Sequence, residues 1–141
     1  MAERTVDRPT TGNQTQPAVG ERFAKAVAAK DAAALRSLLH PDVDVRAMTP
    51  GRFWEATSAA EFIDEILLGM WFKPEHRIVD VVDITAGGVG TRPSVAYQFR
   101  MENPDGECLV EQRAYYECDG NQISWLRIIC SGFVPAAPTP S

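Results

Sequence analysis

Residues 106–131, GECLVEQRAYYECDGNQISWLRIICS, contain two strand-like runs on either side of the step from Asp119 to Gly120. An Asp-Gly step suits the positive backbone angles of a type I′ turn, so the stretch predicts a β-hairpin with these two residues as its loop. A further strand-like run at 94–101 precedes it, across a turn at 103–106. The pattern therefore predicts three consecutive strands of one antiparallel sheet.

The predicted register determines which polar side chains share the mostly apolar face of this sheet. Side chains alternate with period two, and directly opposite residues on paired strands share a face. A β-bulge would move every residue beyond it to the other face. Counting back from the two turns places these polar and aromatic side chains on the apolar face: Tyr97, Gln112, Tyr116, Trp125 and Arg127.

Composition excludes several classes of protein. The chain has 141 residues and a net charge of −5, and we expect one domain. No run of Lys and Arg appears, which argues against nucleic acid as a partner. No apolar stretch could span a membrane and no secretory signal is present, so we expect a cytoplasmic protein without membrane contact. The three cysteines lack a close metal-binding spacing, so we expect reduced thiols and no metal or other cofactor.

Periodicity divides the chain into an arm, a domain and a tail. Residues 1–18 lack periodicity and predict a disordered N-terminal arm, while 134–141 predict a flexible tail, which leaves 19–133 as the domain. Within the domain the pattern predicts helices at 19–30, 32–39 and 59–71, strands at 42–48 and 76–85, and a loop around Phe53 and Trp54.

The order of the predicted elements is helix, helix, strand, helix and then four strands. This order contains no parallel crossover, so we expect the helices to pack on one face of a mostly antiparallel sheet. The predicted fold class is therefore α+β.

Four segments carry a resemblance to a known family. They are a helical opening at 23–46, FAKAVAAKDAAALRSLLHPDVDVR; an aromatic and helical segment at 53–67, FWEATSAAEFIDEIL; a strand at 111–117, EQRAYYE; and an ending at 119–129, DGNQISWLRII. In their order and spacing they resemble the NTF2-like superfamily, in particular its SnoaL-like and ketosteroid-isomerase-like members.

The resemblance implies a cone in which a curved, mostly antiparallel sheet holds helices on its concave face, with a pocket at the open end. It also implies frequent homodimers. Members of the superfamily include isomerases, polyketide cyclases, dehydratases, epoxide hydrolases and proteins without chemistry. The chain departs from the familiar pattern at two positions. Ala47 stands where ketosteroid isomerases have their general-base Asp, and Ser131 stands where many SnoaL-like chains have an Asp.

The candidate catalytic residues are therefore taken from the predicted pocket face and its surroundings. An always-charged Arg127 could stabilise negative charge on a substrate oxygen. Tyr97 could donate a hydrogen bond, Asp44 could reach the pocket mouth, and His40 could exchange a proton near neutral pH. The structural alternative is that Arg127 forms an ion pair with Asp44 or stacks on an aromatic ring.

The candidate substrate-binding residues are mostly aromatic: Gln112, Trp125, Trp54, Phe53, Met48, Met70, Trp71 and Tyr116. Packing in the core is an equal alternative for Trp54, Phe53, Met48, Met70 and Trp71, and the alternative for Gln112 is a satisfied amide in the core. The opposite sheet face has alternating charges that two-fold copies could pair, so we expect a homodimer through this outer face. The residues concerned are Gln98, Arg100, Glu111 and Arg113.

These observations predict a SnoaL-like pocket protein that acts on a mostly apolar small molecule. The first hypothesis is a cofactor-independent acid/base enzyme of the cyclase, isomerase, dehydratase or epoxide hydrolase type. The second is a non-catalytic ligand-binding or dimeric interaction domain, which the missing carboxylates at Ala47 and Ser131 favour.

Overall fold

The structure is a computed structural model that describes the backbone of residues 11–136 and the side chains of residues 19–136. The rest of the predicted arm, 1–10, and the end of the predicted tail, 137–141, lie outside the described residues. The elements are α1 (Thr11–Ala29), α2 (Ala32–Leu38), β1 (Leu39–Thr49), β2 (Arg52–Ala56), α3 (Glu61–Trp71), β3 (Arg77–Val89), β4 (Arg92–Asn103), β5 (Gly106–Asp119), β6 (Gln122–Cys130) and β7 (Val134–Pro135).

The first two helices follow the predicted pattern, although α1 begins at Thr11 rather than at 19. One side of α1 is buried through Val19, Phe23 and Val27. Asp31 caps α2, because its carboxylate accepts a hydrogen bond from the backbone N–H of Ala34 at 3.0 Å. None of the helices among residues 11–136 is long and apolar enough to cross a membrane.

Two hydrogen bonds between side chains and backbone N–H groups stabilise the start of the helical segment that leads into α3. The N–H of Glu61 donates to the hydroxyl of Ser58, and the carboxylate of Glu61 accepts from the N–H of Thr57, both at 3.1 Å. The helix has π-type hydrogen bonding and ends with the N–H of Phe72 donating to the carbonyl of Leu67 at 2.8 Å. Its apolar side chains Phe62, Ile63 and Leu67 are fully buried.

The seven strands form one curved, unclosed sheet in the order β2-β1-β6-β5-β4-β3, with β7 paired to β5. The sheet is mostly antiparallel, which confirms the predicted α+β class. Two details differ from the prediction. β1 and β6 run parallel, and the expected loop around Phe53 and Trp54 is a strand, β2, that pairs antiparallel with β1.

The register of the β4–β5 pair is as predicted, with Tyr97 opposite Gln112. The register of the β5–β6 hairpin is not. Asp119 pairs with Gln122, so the loop lies one residue later than predicted, a change that alone leaves every side chain on its expected face.

A β-bulge in β6 moves the side chains that follow it to the face opposite to the predicted one. Cys118 pairs with Ile123 and Glu117 pairs with Trp125, so Ser124 is an extra residue on β6. Beyond it every side chain of β6 has the face opposite to the predicted one. Leu126 and Ile128 face the helices and are buried, whereas Trp125, Arg127 and Ile129 lie on the outer face. The predicted convergence of Arg127 with Tyr97 and Gln112 is therefore wrong.

The concave face of the sheet and the helices enclose the core. Tyr116 of β5 is fully buried there, and burial raises the pKa of its hydroxyl to about 12. Its hydroxyl lies against Gly20 of α1, where an added Cβ would come within 2.6 Å of the Tyr116 oxygen. A glycine at this position thus permits close packing of α1 on β5.

Gly20→Ala should lower the free energy of unfolding by about 1–2 kcal/mol, because the cost of overpacking exceeds the helix propensity gained from Ala. Urea denaturation of Gly20→Ala, Tyr116→Phe and the double variant measures this cost. Removal of the Tyr116 oxygen should reduce the loss caused by Gly20→Ala. If Gly20→Ala lowers the free energy of unfolding equally in the wild-type and the Tyr116→Phe protein, the predicted contact is contradicted.

Candidate functional site

A cavity of about 250 Å³ lies between the end of α3, the β1–β2 hairpin and the segment that follows β6. Two of its lining residues, Gln112 and Cys130, are paired across β5 and β6 and belong to the concave face of the sheet. Its walls are largely apolar, with a few polar groups, which is the composition expected of a small-molecule site. The lining residues are Thr49, Arg52, Trp54, Met70, Trp71, Phe72, Gln112, Cys130, Gly132 and Phe133.

Aromatic rings form one wall of the cavity. Trp71, near the end of α3, makes edge-to-face contacts with Trp54 and Phe62, each at a centroid distance of 5.9 Å. Phe72 contacts Phe133 in the same manner at 6.3 Å. The wall is therefore rigid and suited to a flat, apolar ligand.

Gln112 is the polar centre of the cavity. Only 1% of its surface is exposed. The Tyr97 hydroxyl donates to Gln112 Oε1 at 2.6 Å, while Gln112 Nε2 has no hydrogen-bond partner among the described residues. Since Tyr97 uses the carbonyl oxygen of the amide, Gln112 presents its N–H groups as donors.

Tyr97 lies behind Gln112 and does not line the cavity. Burial, reinforced by the neighbouring Cys130 sulfur, holds the pKa of the Tyr97 hydroxyl far above its ordinary value. The hydroxyl therefore stays protonated and continues to donate to Gln112. Tyr97 is a positioning residue for the amide rather than a group that moves a proton.

Trp71 supplies a second unused donor. Its indole Nε1 is buried and has no hydrogen-bond partner within residues 19–136. An unsatisfied buried donor costs roughly 1–3 kcal/mol. Two such donors, Trp71 Nε1 and Gln112 Nε2, belong to side chains that line the same cavity. A ligand with an acceptor oxygen would remove this cost.

The β1–β2 hairpin forms the mouth of the cavity. Trp54 Nε1 donates to the hydroxyl of Thr49 at 2.8 Å, which fixes the indole ring. The guanidinium of Arg52 lies 3.6 Å from the centroid of that ring. Arg52 is exposed and provides a cation at the entrance.

The opposite wall is formed by the end of β6. The backbone N–H of Gly132 donates to Cys130 Sγ at 3.3 Å. Gly132 has a φ of 77°, and an added Cβ would meet Pro50 Cγ at 2.9 Å. Only glycine fits this backbone angle and this contact, so Gly132 holds the segment after β6 against the β1–β2 turn.

Four of the candidate substrate-binding residues line the cavity together, namely Gln112, Trp54, Met70 and Trp71. The remaining candidates lie elsewhere. Tyr116 is in the core beside α1. The outer face of the sheet carries Phe53, Met48, Trp125, Arg127 and Asp44.

Arg127 contacts Asp44 and an aromatic ring, as the structural alternative to a catalytic role predicts. Its Nη1 donates to the carbonyl of Asp44 at 3.0 Å and lies 3.5 Å from Asp44 Oδ1. Its guanidinium also stacks on Trp125 at 4.3 Å, and Arg92 occupies a second cation–π contact with the same ring at 4.1 Å. The charge of Arg127 thus has partners outside the cone.

His40 is also remote from the cavity. It stands at the start of β1, next to Leu39, which pairs with Ile123 at the beginning of β6. Cys130 lies at the other end of β6, roughly 20 Å away at the usual strand rise. His40 Nδ1 accepts from the N–H of Asp42 at 3.0 Å, and Nε2 is 4.0 Å from Asp119.

Sequence reasoning missed six lining residues: Thr49, Arg52, Phe72, Cys130, Gly132 and Phe133. The sequence does contain a signal for Cys130. Leu126, Ile128 and Cys130 alternate with Trp125 and Arg127, and burying the Leu and Ile side chains requires Cys130 to face inward with them. The described residues contain no group of three or more His, Cys, Asp or Glu that could hold a metal ion.

The two positions that depart from the familiar carboxylate pattern have different surroundings. Ala47 is buried on the concave face. Ser131 is exposed, and its hydroxyl accepts from the N–H of Glu111 at 2.9 Å and donates to the carbonyl of Gly132 at 2.7 Å. Cys130, rather than Ser131, is therefore the last residue of β6 that lines the cavity.

No protein-family model and no curated protein matches the chain by sequence. Solved structures do match it. The chain has the NTF2-like fold. An NTF2-like protein from Burkholderia thailandensis matches with a TM-score of 0.60 at 13% identity, over 82% of this chain and 89% of that one. An LEH-like epoxide hydrolase from M. tuberculosis matches with a TM-score of 0.63 at 13% identity, over 84% of each chain.

A third similar structure comes from Xanthomonas campestris and is provisionally described as a polyketide cyclase. Its TM-score is 0.61 at 16% identity, and the match covers 82% of this chain and 90% of that one. These likenesses confirm the NTF2-like fold predicted from the sequence. At such low sequence identity, these similarities show the fold and do not show a particular reaction.

Proposed function

We propose that this NTF2-like chain binds a small, mostly apolar molecule by an acceptor oxygen in the 250 Å³ cavity and acts on it without a cofactor. One observation carries this proposal. The buried donors Gln112 Nε2 and Trp71 Nε1, both unpartnered within the described residues, belong to the lining of one cavity with aromatic walls. A carbonyl oxygen is the simplest group that accepts from both.

The chemistry that fits these donors is stabilisation of negative charge on the bound oxygen. Donors fixed in a site of low dielectric stabilise a developing enolate or oxyanion without reorganisation. Tyr97 supports this role because it fixes the orientation of Gln112. Isomerisation, cyclisation and dehydration next to a carbonyl all develop such charge.

The acid/base part of the reaction needs a different group from those predicted. Arg127 and His40 are outside the cavity, and neither a carboxylate nor a histidine belongs to its described lining. Cys130 contributes the one thiol of the described lining. The lack of a lining carboxylate also supports the second hypothesis, a non-catalytic ligand-binding domain.

A matched pair of probes tests the binding proposal. Benzylacetone should bind more tightly than butylbenzene, which has the same skeleton without the oxygen. Gln112→Leu should weaken the binding of the ketone by about tenfold, because one hydrogen bond of about 1–1.5 kcal/mol is lost. The affinity for butylbenzene should be unchanged. NMR titration of the labelled protein measures both affinities.

Arg127→Met is the control variant, since Arg127 lies on the outer face, and it should not change the affinity for either probe. Circular dichroism verifies that each variant is folded. Equal affinities for the ketone and the hydrocarbon, or a loss in Arg127→Met comparable to that in Gln112→Leu, would refute the proposal. Recovery of the ligand unchanged after long incubation would favour binding without catalysis.

We also propose a homodimer through the outer sheet face. Met48 pairs with Phe53 on one side and with Ile129 on the other, so three neighbouring strands present one apolar cluster. All three side chains are exposed, Phe53 by 78%. A depression of about 360 Å³ lies beside them, with Arg46 and Arg127 at its edge. An exposed apolar cluster with a charged rim is typical of an interface.

Phe53→Glu should convert the dimer into a monomer, because it introduces a charge at the centre of the cluster. Val79→Glu is the matched control, since Val79 is exposed on β3 at the far edge of the sheet. Analytical ultracentrifugation distinguishes the two states. A wild-type monomer at micromolar concentration, or a dimer that persists in Phe53→Glu, would contradict this arrangement.

A further inference from the structure

The three cysteines of the chain have different surroundings. Cys108 is buried, Cys118 is half-buried in the core, and burial raises the pKa of both thiols. Cys130 is half-buried and lines the cavity. It is therefore the thiol that a ligand in the cavity would meet.

Cys130 lies directly beside the proposed oxygen-binding donor. It pairs with Gln112 across the β5–β6 ladder, and both side chains are on the concave face. Directly opposite residues of a ladder have Cβ atoms about 4.5–5.5 Å apart. One ligand can therefore contact the amide of Gln112 and the sulfur of Cys130 at the same time.

A backbone hydrogen bond fixes the position of this sulfur. The N–H of Gly132 donates to Cys130 Sγ at 3.3 Å. The contact depends on the left-handed backbone at Gly132 and on its packing against Pro50. A thiolate is the nucleophilic form of cysteine.

We propose that Cys130 is a nucleophile that adds to α,β-unsaturated carbonyl compounds bound in the cavity. The proposal rests on the proposed function, because the carbonyl oxygen is held by Gln112 Nε2 and Trp71 Nε1. A conjugated carbonyl compound is flat, and the cavity that would hold it is lined by the aromatic side chains of Trp54, Trp71 and Phe72.

The addition balances without an oxidant, a reductant or another reactant. Cys130 loses its proton to solvent water, which later returns one to the α-carbon, and Sγ forms a bond to the β-carbon of the ligand while the carbon–carbon π bond breaks. The electron pair moves to the carbonyl oxygen as an enolate, where the two N–H donors stabilise the charge. The α-carbon then takes up a proton, and elimination reverses the same steps.

Benzylideneacetone is the probe for this reaction, because it is the unsaturated counterpart of benzylacetone. Intact-mass and peptide mass spectrometry should find one adduct per chain, on Cys130. The adduct should be absent in Cys130→Ser and unchanged in Cys118→Ser. Its formation should be at least tenfold faster than addition to free N-acetylcysteine, and benzylacetone should inhibit it by competition.

Two variants test the role of the donors. Gln112→Leu and Trp71→Phe should each slow the addition at saturating probe by tenfold or more. Trp71→Phe keeps an aromatic ring in the wall, so it remains informative if Gln112→Leu does not fold. Far-ultraviolet circular dichroism and the thermal midpoint show whether each variant is folded.

The outcomes separate the two proposals. If benzylacetone binds but benzylideneacetone gives no adduct, or labels Cys118 or Cys108 at a similar rate, the nucleophile proposal is overturned and the proposed function stands. If addition to Cys130 is no faster than to N-acetylcysteine in a folded protein, the nucleophile proposal is also overturned. If benzylacetone itself does not bind, the proposed function fails.

Discussion

The hydrogen bond from Tyr97 to Gln112 determines what the cavity can recognise. The hydroxyl donates to the amide oxygen at 2.6 Å, so the amide keeps its N–H groups as donors, and Nε2 has no partner among the described residues. Tyr97 can hold this orientation because burial keeps it protonated. With the indole N–H of Trp71, the cavity has buried donors and aromatic walls, and its described lining contains no carboxylate. This constraint selects a ligand with an acceptor oxygen.

The bulge at Ser124 determines which side chains of β6 line the concave face and which lie on the outer face of the sheet. By adding one residue to β6, it directs Leu126, Ile128 and Cys130 toward the helices and turns Arg127 outward. The cavity is thereby lined by the thiol of Cys130 and not by the guanidinium of Arg127. Arg127 is satisfied by the carbonyl and carboxylate of Asp44. The same inversion supplies the outer face with Ile129, which adds to the apolar cluster proposed as a dimer interface.

Local chemistry made much of the fold predictable, while pairing between distant residues did not. The caps of α2 and α3 follow from Asp31, Ser58 and Glu61, because each acts within a few residues. The site was predicted only in part. Gln112 was placed correctly, since no irregularity intervenes between β4 and β5. The prediction misplaces Arg127 because no local signal announces a bulge. It also places Cys130 on the outer face, although the alternation of Cys130 with Leu126 and Ile128 indicates the inner one.

A crystal structure of the protein with bound benzylacetone tests the central claim most directly. The account predicts a ketone oxygen within hydrogen-bond distance, about 2.7–3.2 Å, of Gln112 Nε2, with the Tyr97 hydroxyl still donating to Gln112 Oε1. The aromatic ring of the ligand should lie against Trp71. A ligand bound on the outer face beside Arg127, or a Gln112 amide turned so that Nε2 donates to Tyr97, would contradict it.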